Sequence, residues 1–122
     1  MQDYLKLNVY KDAEKLVSFI YTLTKSFPSS EKYNIISQMK RAVTSICANI
    51  AEGTGRISNA DFLRFLYHSM GSLKELHSFL RISTNLKYIS QEKYNESMNK
   101  INSISKQLCC LIKCLKIPST NH

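Results

Sequence analysis

Apolar residues recur along this chain at alternating steps of three and four, in four stretches divided by short polar breaks. That spacing keeps one face of a helix apolar. In the first stretch Val9, Ala13, Leu16, Ile20, Leu23 and Phe27 form a seam, while Lys11, Lys15 and Lys25 fall outward. A helix is predicted from about Asn8 to Ser26. Phe27-Pro28-Ser29-Ser30 ends it, because the residue before a proline is pushed out of helical geometry and a serine then caps the next helix.

The second stretch predicts a helix from about Glu31 to Glu52. Ile36, Met39, Val43, Ile46 and Ile50 make its apolar face. Gln38, Arg41, Ser45, Asn49 and Glu52 also step by three and four, along the opposite face. Water-facing helix stripes are usually rich in Lys and Glu, whereas this one is mostly short and uncharged. It reads as a surface that touches another protein surface, with plain solvation as the alternative. Gly53 and Gly55 suit the left-handed positions that close a helix.

The third helix starts at a capping box, Ser58-Asn59-Ala60-Asp61, in which Asp61 answers the Ser58 backbone. It runs to about Leu86, with Phe62, Leu66, Met70, Leu73, His77 and Leu80 as the seam. Phe65, Leu76, Phe79 and Leu86 widen its apolar arc. Gly71 sits in mid-helix on the far side, where glycine costs about 1 kcal/mol against alanine. The close approach of a neighbouring backbone would account for it, and neutral drift is the alternative. His77 reads as a hydrogen-bonded core histidine. Ser90 caps the fourth helix, whose seven-residue repeat is Tyr94, Met98, Ile101, Ser105, Leu108, Ile112 and Leu115. Its end, Leu108 to Ile117, is apolar nearly all round, and Cys110 points away from the seam. A helix apolar on both sides is usually covered on both sides, which implies more than one subunit.

Four helices with short links predict an all-α fold, an antiparallel up-down-up-down four-helix bundle. At 122 residues with only 3 Gly and 2 Pro, the chain makes one domain, residues 1–118, with a disordered tail at 119–122. No apolar run approaches the roughly 20 residues of a membrane span, and the start of the chain has no apolar signal-peptide core, so a cytoplasmic protein is expected with no membrane partner. The four cysteines, one in the second helix and three in the last, read as reduced thiols. Cys110 and Cys114 share a helix face, but no His or second Cys pair completes a metal site. No metal or cofactor is expected. The formal net charge of +8, from 17 basic and 9 acidic residues, attracts polyanions through phosphate neutralisation. Lys40, Arg56, Arg64, Lys100, Lys106, Lys113 and Lys116 are the candidate nucleic-acid-binding residues; a merely solubilising surface is the alternative.

The segments LNVYKDAEKL, YTLTKSFPSSEKY, SQMKRAVTSICANIAEGTGR and FLRFLYHSMGSLKELHSFLRISTNLKYI resemble the bacterial S23-like four-helix-bundle proteins encoded in intervening sequences of 23S ribosomal RNA genes. The resemblance covers about residues 5 to 89. Its most specific motif is Gln38-x-x-Arg41-Ala42, then Ser45-Ile46, then Asn49-Ile50-Ala51-Glu52-Gly53. The likeness implies a bundle that assembles into a homopentameric ring. It also implies kinship with the accessory proteins of diversity-generating retroelements, understood to bind nucleic acid and a reverse transcriptase. This chain departs from the family pattern in having Tyr10 where Trp is frequent and Cys47 where Pro is frequent. Without that proline the second helix should run straight.

Two functions follow as expectations. One is a non-catalytic, oligomeric nucleic-acid-binding scaffold of the 23S rRNA intervening-sequence type, with RNA as the expected partner. The other is an accessory subunit of a reverse transcriptase. Subunit contacts are expected at Gln38, Arg41, Ser45, Asn49 and Glu52, together with Phe65, Gly71, Phe79 and Cys110. An enzyme is not expected: no Ser-His-Asp set, Gly-rich phosphate loop or metal-spaced His/Glu pair is present, and neither His68 nor His77 has a Glu three residues before it.

Overall fold

A computed structural model describes residues 3–117, and the tail expected at 119–122 lies outside them. Four helices, α1 (Asn8–Leu23), α2 (Ile35–Thr54), α3 (Asn59–Asn85) and α4 (Gln91–Lys116), form an all-α bundle. Each packs against its neighbours in chain order and α4 returns to α1, with α2 and α3 in the most extensive contact and α1 and α4 in the least. The links are short, so successive helices run antiparallel. A short 3-10 turn, Tyr4–Lys6, precedes α1, and Asp3 caps it by accepting from Leu5 N–H at 3.1 Å.

The core is one continuous apolar cluster. Leu16, Ile20, Met39, Ile46, Ile50, Leu66, Leu76, Leu80, Ile104 and Leu108 are its largest fully buried members. In α1 the buried positions match the predicted seam through Leu23. In α3 the buried set is Phe62, Leu66, Leu73 and Leu80 with Leu76 of the wider arc, but Ser69 and Ser83 join them, and Met70 and His77 are only half-buried. In α4, Ser97 and Ile104 are buried where Tyr94, Met98 and Ser105 were expected. The serines can enter because each hydroxyl has an acceptor. Ser69 donates to the Ile46 carbonyl at 2.9 Å, Ser83 points to the Met39 sulfur at 3.9 Å, and Ser97 donates to the Lys93 carbonyl at 2.7 Å. A hydroxyl so paired escapes the desolvation cost that would otherwise keep it outside.

The ends of the helices differ from expectation in instructive ways. The α1–α2 link coils into 3-10 turns at Thr24–Ser26 and Ser29–Glu31, and α2 starts only at Ile35. Asn34 breaks the helical path with φ −126° and ψ −106°, and its amide donates to Glu31. Gly55 is right-handed at φ −84°, and no glycine among the described residues has positive φ. Gly53 is needed for room instead: a Cβ there would lie 2.8 Å from Phe62 Cδ1. Gly71 would meet nothing within 4 Å, so no neighbouring backbone among the described residues explains it. Ser58 caps α3 by accepting from Asp61 N–H at 3.1 Å, but the Asp61 carboxylate turns to Arg64 rather than back to Ser58. At the end of α3, Lys87 is left-handed at φ 67°. Lys87 N–H bonds the Thr84 carbonyl and Tyr88 N–H the Ser83 carbonyl, the paired bonds of a Schellman motif. α2 runs unbroken through Cys47, in keeping with the missing proline.

Candidate nucleic-acid interface

Antiparallel topology brings the start of α1, the α2–α3 turn and the end of α4 to the same end of the bundle. Five of the seven predicted phosphate ligands therefore gather in one half: Arg56, Arg64, Lys106, Lys113 and Lys116. Arg56 and Arg64 both lie over the Phe65 ring, 4.7 and 4.5 Å from its centroid. Each also has an acid, Glu52 at 3.0 Å and Asp61 at 3.4 Å, in exposed pairs of the kind worth little in water. Lys40 and Lys100 sit apart from this group. Lys40 Nζ is 4.7 Å from the Tyr21 ring and Lys100 Nζ is 5.1 Å from the Phe19 ring.

Lys93 also reaches Phe19, at 5.9 Å. Neither that lysine nor the α1 rings Phe19 and Tyr21 were singled out from the sequence. Lys93 and Lys100 stand seven residues apart, so they share a side of α4, and this was the available signal.

The expected subunit face divides. Ser45 and Asn49 are half-buried and already bonded within the chain: Ser72 donates to the Ser45 hydroxyl at 2.9 Å, and Asn49 Nδ2 reaches the Ser45 carbonyl and hydroxyl at 2.9 and 3.0 Å. Gln38, Arg41, Glu52, Gly71 and Cys110 are exposed, whereas Phe65 and Phe79 are half-buried.

The α1–α4 seam opens into three depressions. Lys15, Asn99, Lys100 and Ser103 surround one of about 260 Å³ at its middle. Leu7, Val9, Lys106 and Leu111 border another of about 380 Å³ towards the end of α4. Phe19, Thr22, Tyr88 and Lys93 border a third of about 380 Å³ at the opposite end. Beside that third depression the Tyr88 hydroxyl donates to Glu31 at 2.6 Å. This bond, helped by Asn34, holds the Glu31 carboxyl below its ordinary range and raises the Tyr88 phenol above its own. On the α1–α2 side, burial first and the nearby Glu14 second push the Cys47 thiol up to about 11. Cys109, Cys110 and Cys114 are exposed thiols. Among the described residues no group of three or more His, Cys, Asp or Glu side chains is placed to hold a metal ion. His77, on the half-buried flank of α3, bonds the Tyr94 hydroxyl at 3.1 Å. No helix among the described residues is long and apolar enough to cross a membrane.

A basic four-helix bundle with lysines and arginines set over aromatic rings is the class of protein these features define. The profile of the family described as 23S rRNA-intervening sequence protein matches residues 5–110, and the chain belongs to that family. Among solved structures it resembles a protein of unknown function from the S23 ribosomal protein family of Bacteroides thetaiotaomicron. The two share 29% identity at a TM-score of 0.80, over 86% of this chain and 95% of that one. No curated protein matches the chain.

Proposed function

We propose that this protein is a non-catalytic, oligomeric nucleic-acid-binding scaffold, with RNA as its partner. The observation that carries the reading is the state of its positive charge. Of 17 basic residues only Arg56, Arg64 and Lys93 form ion pairs with carboxylates among the described residues, leaving fourteen without one. A surface so little neutralised by its own acids is attractive to phosphate. The family membership supports an RNA connection through its description alone. Assembly into a ring of five copies, each at +8, would pool +40 of formal charge. Exposed Gln38, Arg41 and Gly71 are the residues proposed to face the next copy.

Filter binding of RNA across a salt series tests the reading. Affinity that falls linearly on log–log axes is expected, and affinity absent at low salt or flat with salt refutes it. Light scattering tests the ring: a multimeric mass is expected for the wild type and a smaller one for Arg41→Glu.

A second reading, an adaptor subunit for a reverse transcriptase, draws on the outward face of α3. Tyr67, Ile82 and Leu86 are exposed there, between 41% and 49%, on a helix also carrying the open Gly71. Co-purification with such an enzyme, lost on Tyr67→Lys, would favour it.

A further inference from the structure

We propose that the α1–α4 furrow is the track along which one unpaired polynucleotide strand lies. The inference rests on the nucleic-acid reading above and assigns it a place and a substrate form.

Three open depressions follow one another down this seam. Lysines stand on both banks: Lys15 from α1, and Lys93, Lys100 and Lys106 from α4. Two acids, Asp12 and Glu96, also line the furrow. Asp12 accepts from Gln107 Nε2 at 2.7 Å, and Glu96 pairs with Lys93 at 3.3 Å. Lys15, Lys100 and Lys106 form no ion pair among the described residues, and with Lys93 they set four lysines against the two carboxylates Asp12 and Glu96, so the lining of the furrow is net positive.

The ring of Phe19 lies in the furrow wall beneath Lys93 and Lys100. An ammonium over a part-exposed ring is held weakly. It can swing to a phosphate while a base takes its place on the ring, which is how single-strand grooves combine stacking with charge. Lysine suits this task because a point charge neutralises phosphate without selecting a base. Asn99 and Ser103 add neutral hydrogen-bonding groups between the lysines.

Width selects the single strand. Neighbouring helix axes lie about 8–10 Å apart, and a furrow of that scale cannot seat a duplex. The exposed side of α3 differs: Lys74, at the α3–α4 edge, and Arg81 are exposed there, and neither is placed over a ring.

The test is fluorescence anisotropy on the full chain with labelled oligouridylate and oligodeoxythymidylate of about 15 nucleotides, and an RNA duplex of equal length. Three variants are compared at low salt, each first shown to keep the wild-type circular dichroism and melting behaviour. Lys15→Glu with Lys100→Glu should weaken single-strand binding about tenfold or more and flatten its salt slope. Lys74→Glu with Arg81→Glu, an equal change of charge on α3, should weaken it less than about threefold. Phe19→Leu, which keeps the apolar contact and removes the ring, should weaken it by about fivefold to tenfold with the salt slope unchanged. The tighter of the RNA and DNA strands identifies the natural ligand type. Equal losses in the two charge-reversal pairs, an indifferent Phe19→Leu, or a duplex bound as tightly as the strand would each overturn the furrow while leaving nucleic-acid binding standing. A wild-type chain that binds none of the probes overturns both.

Discussion

Two seams of this bundle are built on opposite plans. Between α2 and α3 the helices meet through small and hydroxylated residues. Ser69 bonds the Ile46 carbonyl, Ser72 bonds Ser45, and Gly53 leaves space for the Phe62 ring. Between α1 and α4 the contact is the slightest of the four neighbouring pairs, and the polar tie from Gln107 to Asp12 crosses it beside open depressions. Small residues let backbones approach, so buried contact replaces side-chain bulk on one side of the molecule. On the other side long lysines and aromatic rings hold a surface open to solvent. The closed seam is the more tightly packed of the two, and the open seam is the one proposed above to take a polynucleotide strand.

The largest expected effect breaks the core that both seams share. Leu73, 3% exposed, replaced by Asp would bury an unpaired charge at a cost of about 3–5 kcal/mol or more, and the cooperative urea transition should vanish. A sharper test of the contrast pairs one substitution from each seam. Gly53→Leu forces atoms into the Phe62 ring and should lose about 1–3 kcal/mol, whereas Gln107→Leu on the open side should lose no more than about 1 kcal/mol. Equal losses in chemical denaturation would mean the seams are not different in kind.

Thiol chemistry reads the same contrast without mutation. Cys47 is half-buried with its thiol raised to about 11, so native protein at neutral pH should alkylate at Cys109, Cys110 and Cys114 and spare Cys47 until unfolded. The sign for stability follows from a raised folded value. The contribution is complete below the ordinary thiol value of 9.0 and is lost as pH climbs from there towards about 11, so Cys47→Ala should flatten the alkaline fall. The smallest effect lies at the α3–α4 turn. Lys87→Gly relieves a left-handed lysine and should raise stability by about 0.5–1 kcal/mol, seen as a modest rise in melting temperature.

Much of the architecture was legible in the residue pattern. The α1 seam, the Ser58 and Ser90 caps and the unbroken α2 come from local rules, because helical periodicity and capping are written within a few residues of where they act. What misled was the assumption that the apolar residue always takes the inside position. In α3, Ser69 and Ser83 are buried while Met70 and His77 are only half-buried, since the near approach of α2 favours a small hydroxyl that can bond across the seam. The same cause placed Gly53 in the last turn of α2 against Phe62 rather than at a left-handed stop. For the candidate site, Lys40 and Lys100 were visible as charges. Their positions over Tyr21 and Phe19 were not, because each pair joins two helices distant in sequence.

By itself, then, the order of residues determined four helices, their antiparallel connection and a surplus of positive charge, all of which depend on neighbours along the chain or on composition. Tertiary packing alone decided which helices press together and which stand apart. Ser45 was tied to Ser72 of α3 by that decision, and Lys15, Lys93 and Lys100 were drawn to the sides of one furrow. The physical reason is that contact between helices is governed by side-chain volume across a gap, a quantity no single stretch of sequence contains.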